Sequence, residues 1–371
     1  MSLSACLPTV ITLSESADNV VMDEVMYQAL KWMQNGTEGE KETLRTHWPK
    51  LLEMLAIDID ALNEDLRYYQ SGDHRPTDVA MHELLAMLNT ATLLDDYEHK
   101  NLGEKKTKTK TNKNRKWFVK NAKDVLHRHA TSTTFFFCDV SRLLNKDVST
   151  WAKSTKTLRA LTSSVTMTYY ARQQNLVKTK KPLELCKKLF GSPLYSPAVS
   201  DESVFLQLVY LSTHVLMTFT DFGMKQPARP PVRIAKVAIS FLKNSVQRLL
   251  DMSTRDLAPS PSGRMIMQVY DALAETVEVL LCFEPRSVDR NIISFLDTVA
   301  KDKFGIDRVE DDLNKLHGIF TVVDALHHAR TATVDLEEEE LAASTQTGRI
   351  AAGRAKNRSK THKGRDGKSK P

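Results

Sequence analysis

The sequence predicts an all-α fold, an irregular multi-helix bundle or a set of stacked helical hairpins, followed by a disordered basic C-terminal tail. Apolar residues recur at helical spacing along most of the chain, and the two-residue alternation of half-buried strands is nearly absent. Glycine accounts for only 13 of the 371 residues, about half the usual share, which disfavours a strand-rich fold with many tight turns. Short proline-containing breaks between segments of similar length favour a bundle.

Residues 1–103 are predicted to form an acidic N-terminal lobe, with 7 Lys and Arg against 18 Asp and Glu. The first predicted helix of this lobe ends at Gly36. The second is one interrupted helix or two, with Pro49 near a start. The third begins after Pro76, where the Thr77 side chain could cap it.

The middle of the chain is predicted to begin with a basic linker, residues 104–116, that contains the run KKTKTKTNKNRK. A helical body, residues 117–334, is expected to follow the linker. Its predicted helices lie near 117–129, 138–174, 200–222, 231–252, 263–283, 287–302 and 309–330. Residues 335–371 form the tail, acidic and then basic, which has too few large apolar groups to offset the entropy cost of ordering.

Charge is distributed unevenly along the chain. Residues 104–188 carry 21 Lys and Arg against 5 Asp and Glu, whereas residues 189–345 carry 15 against 22 and residues 346–371 carry 9 against 1. A concentration of positive charge destabilises a compact fold unless a polyanion or an acidic neighbour neutralises it. Two alternatives follow for the middle segment: it binds nucleic acid, or residues 1–103 fold back and neutralise it.

The predicted helix 138–174 carries a basic stripe. On a helical wheel, Arg142, Lys146, Lys153 and Lys156 fall within one narrow sector, and Trp151 lies on the opposite, apolar side. An exposed helix usually mixes acids with bases at this spacing, and this stripe contains no acid. The pattern indicates a surface that meets successive phosphates of a single strand.

Phosphate contacts are therefore expected from the linker, the basic stripe and the cations that follow it, and two adjacent tyrosines are candidates for base stacking. The predicted nucleic-acid-binding residues are Lys105, Lys106, Lys108, Lys110, Lys113, Arg115, Lys116, Arg142, Lys146, Lys153, Lys156, Tyr169, Tyr170, Arg172, Lys178, Lys180 and Lys181.

Signatures of catalysis are missing from the sequence, which has no phosphate-binding glycine loop, no nucleophile elbow and no zinc-protease motif. The four cysteines are isolated and lack metal-ligand spacing. Asp324, His327 and His328 could share a helix face and hold a metal, but a single such group predicts an exposed polar face instead. We expect no enzyme activity, no cofactor and no metal.

The sequence thus favours a non-enzymatic helical scaffold or adaptor that contacts RNA, or DNA, in a nuclear assembly. The two basic segments favour nuclear residence, with the nucleolus included and the cytoplasm as the alternative. No membrane contact is expected, because the longest apolar run, residues 204–219, is too short for a span. One alternative is a nucleoprotein that coats a single-stranded genome between two helical lobes. The other is a protein–protein interaction scaffold whose basic stripe is neutralised internally.

Overall fold

The computed structural model describes residues 22–71, 76–102, 110–130, 140–225, 233–254, 264–302 and 321–329. Within these ranges all regular secondary structure is helical, which confirms the all-α prediction. The α-helices are α1 (Met22–Asn35), α2 (Glu38–Gln70), α3 (Asp78–Leu102), α4 (Lys110–Ala130), α5 (Thr155–Gln173), α6 (Lys181–Phe190), α7 (Glu202–Met217), α8 (Arg233–Thr254), α9 (Arg264–Phe283), α10 (Arg290–Asp302) and α11, described over 321–329. The predicted tail, 335–371, lies outside the described residues.

The end of α1 and the start of α3 follow the prediction, whereas α2 is a single helix from Glu38 and has no start near Pro49. Thr37 and Glu40 form a capping box at the start of α2, and the Thr77 side chain accepts a hydrogen bond from the Ala80 amide at 3.2 Å at the start of α3. Helix α2 continues without interruption through Pro49. Pro49 lies on the exposed face, so water can satisfy the carbonyl that loses its helical donor there.

The predicted linker 104–116 is partly helical, which corrects the sequence prediction. Helix α4 begins at Lys110 and packs against α2 and α3. Its buried Phe118 anchors this packing, because an apolar side chain at that position gains free energy when it leaves water. Residues 103–109 lie outside the described residues.

The predicted helix 138–174 is wrong in its first half. Two short 3₁₀ turns, Val140–Leu143 and Val148–Thr150, replace it, and α5 begins only at Thr155. The cause is local, since the Asp147 side chain accepts from the Ser149 amide and Ser154 caps α5, and such side chains compete with continuous helix. The single helical wheel that grouped four cations therefore does not apply.

The remaining helices pack around one continuous apolar core. Helix α5 contacts α3, α6 and α7, and α7 also contacts α8 and α9. Helix α7 ends at Met217, five residues before the predicted end, because residues 218–225 form turns in which Asp221 and Phe222 have positive φ angles of 53° and 52°.

A buried ionic cluster fastens α11 to α1 and α9, where an exposed polar face was expected. Lys31 Nζ donates to Glu278 Oε1 at 2.5 Å and to Asp324 Oδ2 at 3.0 Å. The indole N–H of Trp32 donates to Asp324 Oδ1 at 2.6 Å. Burial alone would lower the pKa of Lys31, but Asp324 and Glu278 raise it above its usual value.

The two histidines of α11 are also buried, which corrects the same expectation. His327 Nδ1 lies 3.3 Å from a carboxylate oxygen of Glu40, and His328 Nε2 lies 3.6 Å from Glu278. Burial opposes ionisation of Glu40, yet the contacts with His327 and Thr37 lower its pKa to about 2. Burial and the nearby charge of Lys31 lower the pKa of His328 to about 3.

Candidate nucleic-acid interface

The segment 140–188 presents an exposed cationic surface, which we call the basic surface. It contains two acids, Asp147 and Glu184. Its eleven cations are Arg142, Lys146, Lys153, Lys156, Arg159, Arg172, Lys178, Lys180, Lys181, Lys187 and Lys188. All eleven side chains are exposed.

Few of these cations have acidic neighbours. Apart from Arg142, none of the eleven forms an ion pair within 4.0 Å with any residue that the structure describes. Elsewhere the exposed cations Arg45 and Lys243 do pair, at 2.9 and 2.7 Å. Hydrogen bonds from Ser149 lower the pKa of Asp147, so this carboxylate is ionised but is used as a helix cap.

Tertiary packing, rather than one helical face, assembles the basic surface. The 3₁₀ turn Val140–Leu143 packs against α5 and α6, and Lys188 Nζ donates a hydrogen bond to the carbonyl of Leu144. Arg142, Lys146 and Lys188 therefore lie near one another. Along α5, Lys156 and Arg172 lie about 24 Å apart at 1.5 Å per residue and about 160° apart around the helix axis.

A recess of about 310 Å³ lies at the far end of the basic surface, where α5 turns toward α6. Tyr169, Arg172 and Lys178 line it, together with the side-chain amides of Gln173 and Asn175. Asn175 adopts a positive φ of 59° in this turn, a conformation that asparagine tolerates better than most residues. The recess thus combines an aromatic ring, two cations and two amides.

The two candidate stacking residues have different positions. The Tyr169 hydroxyl donates to Asp221 and accepts from Gln173, and its ring contacts Phe222. Burial and the bond to Asp221 raise the pKa of Tyr169. Tyr170 lines a different cavity, and burial raises its pKa. Only Tyr169 therefore borders the recess.

The predicted linker residues also differ from one another. Lys113 and Lys116 are exposed on α4, but the Arg115 side chain is only 2% exposed and is paired with Asp95 and Glu98 of α3. Arg115 is therefore not presented to a phosphate, which corrects its predicted role. The side chain of Lys110 and the residues Lys105, Lys106 and Lys108 lie outside the described part of the chain.

Three cations of the basic surface were missing from the predicted set: Arg159, Lys187 and Lys188. The available signal was the scarcity of acids between residues 140 and 190, and a charge count over that window would have included them.

Among the described residues, no three His, Cys, Asp or Glu side chains converge as they would around a metal ion. None of the described helices combines the length and apolar character that crossing a bilayer requires. No protein-family model, curated protein or solved structure matches this chain.

Proposed function

We propose that this protein is a non-enzymatic helical scaffold that binds single-stranded nucleic acid, RNA in the first place, through the basic surface in a nuclear assembly. The observation that carries the proposal is the set of ten exposed cations of the basic surface without a carboxylate partner among the described residues. A polyanion would supply the missing counter-charge and would release condensed cations on binding.

The recess supports a single-stranded rather than a duplex ligand. A splayed base can stack on an aromatic ring such as Tyr169, while Arg172 and Lys178 meet the flanking phosphates. Base stacking of this kind tolerates any sequence, since every base has an aromatic face. The proposal is therefore one of general strand binding, without base-specific contacts.

The pairing of Arg115 with Asp95 and Glu98 bears on the alternative of an internally neutralised scaffold. The N-terminal acids do neutralise one predicted phosphate contact, but they form no such pair with Lys146, Lys153 or Lys156 among the residues described. This difference favours an open basic surface. A nucleoprotein that coats a strand is a variant of the same proposal, and electron micrographs of RNA-containing rings or filaments would identify it.

The test is a filter-binding assay with a labelled single-stranded RNA over a salt series. Because each neutralised phosphate of a single strand contributes about 0.7 to the slope of log K against log salt, the double variant Lys153→Gln, Lys156→Gln should flatten the slope by about 1.4. The control variant Lys50→Gln, Lys243→Gln removes two exposed lysines that pair with Glu53 and Glu284 and should leave the slope unchanged.

The recess is tested with two substitutions of one residue. Tyr169→Phe keeps the ring and should retain affinity, whereas Tyr169→Ala should weaken RNA binding by about 1–3 kcal/mol, the usual value of one base stack. Affinity that does not depend on salt, or equal slopes in the surface and control variants, would overturn the proposed function.

A further inference from the structure

A cavity of about 370 Å³ lies between the helices of the bundle and shares no lining residue with the recess. Its wall is built from α1, α3, α5, α7, α9 and α11 and from Phe222 in the turn after α7. The volume lies in the range of small-molecule sites in proteins. Because six helices converge there, the cavity is a property of the tertiary packing.

The polar lining of this cavity is strongly acidic. Its carboxylates are Asp23, Glu24, Glu275, Glu278 and Asp324. Among the described residues, Lys31 is the only Lys or Arg in the lining, and it already pairs with Glu278 and Asp324. Burial, and then repulsion from Glu24 and Glu83, raise the pKa of Asp23 to about 7, and Asp58 of α2 also interacts with Asp23.

Carboxylates line the cavity at separate positions along α1. Asp23, Tyr27, Gln28 and Lys31 line the cavity along one face of α1, and the first and last of these are about 12 Å apart along the helix axis. Asp23 lies at one end of this row, and the carboxylates that hold Lys31 lie at the other. A ligand with two separated positive charges would match this spacing.

The rest of the wall combines apolar side chains with hydrogen-bonding ones, among them His214, whose Nε2 lies 3.5 Å from Glu275. Tyr27, Tyr170 and Phe222 contribute aromatic rings, and Met217 contributes a thioether. The Oε1 atom of Gln28 is fully buried and has no hydrogen-bond donor among the described residues. A buried acceptor without a donor is costly, and a ligand that carries N–H groups would supply the missing donor.

We propose that this cavity binds a linear aliphatic diamine or polyamine. Ammonium groups would pair with the carboxylates at each end, one N–H would reach Gln28, and the methylene chain would lie against the rings, which also attract cations through their faces. Anionic ligands are disfavoured by the acidic lining. The proposal does not depend on RNA binding, because the cavity shares no lining residue with the recess on the basic surface.

Calorimetric titration with putrescine and spermidine tests the proposal on the full chain, freed of nucleic acid by nuclease and a high-salt wash, since polyamines also bind RNA. We expect saturable binding that Asp23→Asn weakens about tenfold, the usual effect of losing one charge-assisted hydrogen bond. The matched control Glu53→Gln neutralises an exposed carboxylate of α2 and should leave the affinity unchanged.

Proton release provides a second readout that a folding defect would not mimic. An ammonium group beside Asp23 favours its ionised form, so the bound protein should release protons near pH 7, seen as a dependence of the heat on the buffer. Asp23→Asn should abolish that release. Three results would overturn the proposal. These are no saturable heat at millimolar spermidine, equal affinities in the Asp23→Asn and control variants, or equal heat from magnesium at matched ionic strength. These outcomes leave the RNA salt slopes untouched and so distinguish the two proposals.

Discussion

Replacement of Lys31 by methionine should destabilise the fold more than the loss of any exposed lysine. Lys31 is 2% exposed, and its ammonium group is shared between Glu278 at 2.5 Å and Asp324 at 3.0 Å. Methionine has nearly the same length but no charge. The substitution leaves two adjacent buried carboxylates without their cation, because Lys31 is the sole Lys or Arg that lines the cavity in the described part of the chain.

Removing one partner of a buried ion pair costs about 3–5 kcal/mol of unfolding free energy. Burial already raises the pKa of Asp324, and Lys31 opposes that rise, so the variant's carboxylates should have still higher folded-state pKa values. A carboxyl group whose folded pKa exceeds its unfolded pKa binds more protons in the folded state, and its stability contribution is lost as pH rises between those values. Lys31→Met should therefore lose more unfolding free energy at pH 8 than at pH 5.

Urea unfolding at both pH values measures the effect. Lys243→Met is the matched control, because Lys243 pairs with Glu284 at 2.7 Å but both side chains are more than 40% exposed, and exposed pairs contribute about 0–1 kcal/mol. If Lys31→Met lost no more stability than Lys243→Met, or lost equal amounts at the two pH values, the account of the buried cluster would be refuted.

Two further substitutions test burial elsewhere. Arg115→Met should lower the free energy of unfolding in urea by about 3 kcal/mol, because Asp95 and Glu98 lose their buried partner. The affinity for RNA should stay the same. A loss of RNA affinity without a loss of stability would instead show that Arg115 contacts phosphate. Burial and repulsion from Asp23 raise the pKa of Asp58 to about 7, so Asp58→Asn should stabilise the protein by about 2 kcal/mol at pH 8 and by less than half as much at pH 5, which lies between the unfolded and folded pKa values. Equal effects of Asp58→Asn at both pH values would contradict that shifted pKa.

Local signals explain which elements could be predicted from the sequence. The boundaries of α1 and α3 follow from Gly36 and from the cap at Thr77, and the periodic apolar residues identify the long helices. The two failures near the basic surface have local causes too. Asp147 and Ser154 interrupt a pattern that looked like continuous helix, and α4 begins inside a lysine-rich run whose composition resembles that of a linker.

The candidate interface was predicted only in part, because charge is visible in a sequence but pairing is not. Lys113 and Arg115 are two residues apart in the same basic run, yet the first is exposed and the second is buried against α3. A two-residue step on a helix rotates a side chain by about 200°. Which of the two faces the neighbouring helix depends on how α3 and α4 pack.

The chain's helical class, the end of α1, the start of α3 and the concentration of cations between residues 104 and 188 were determined by the sequence alone, since each depends on neighbours within a few positions. The tertiary structure decided which charged side chains are exposed and which are buried in ion pairs. Lys31 meets Glu278 and Asp324, which are 247 and 293 positions away, and the acidic cavity is bounded by six helices. Contacts of that separation arise from packing of the whole core, which no local pattern of residues encodes.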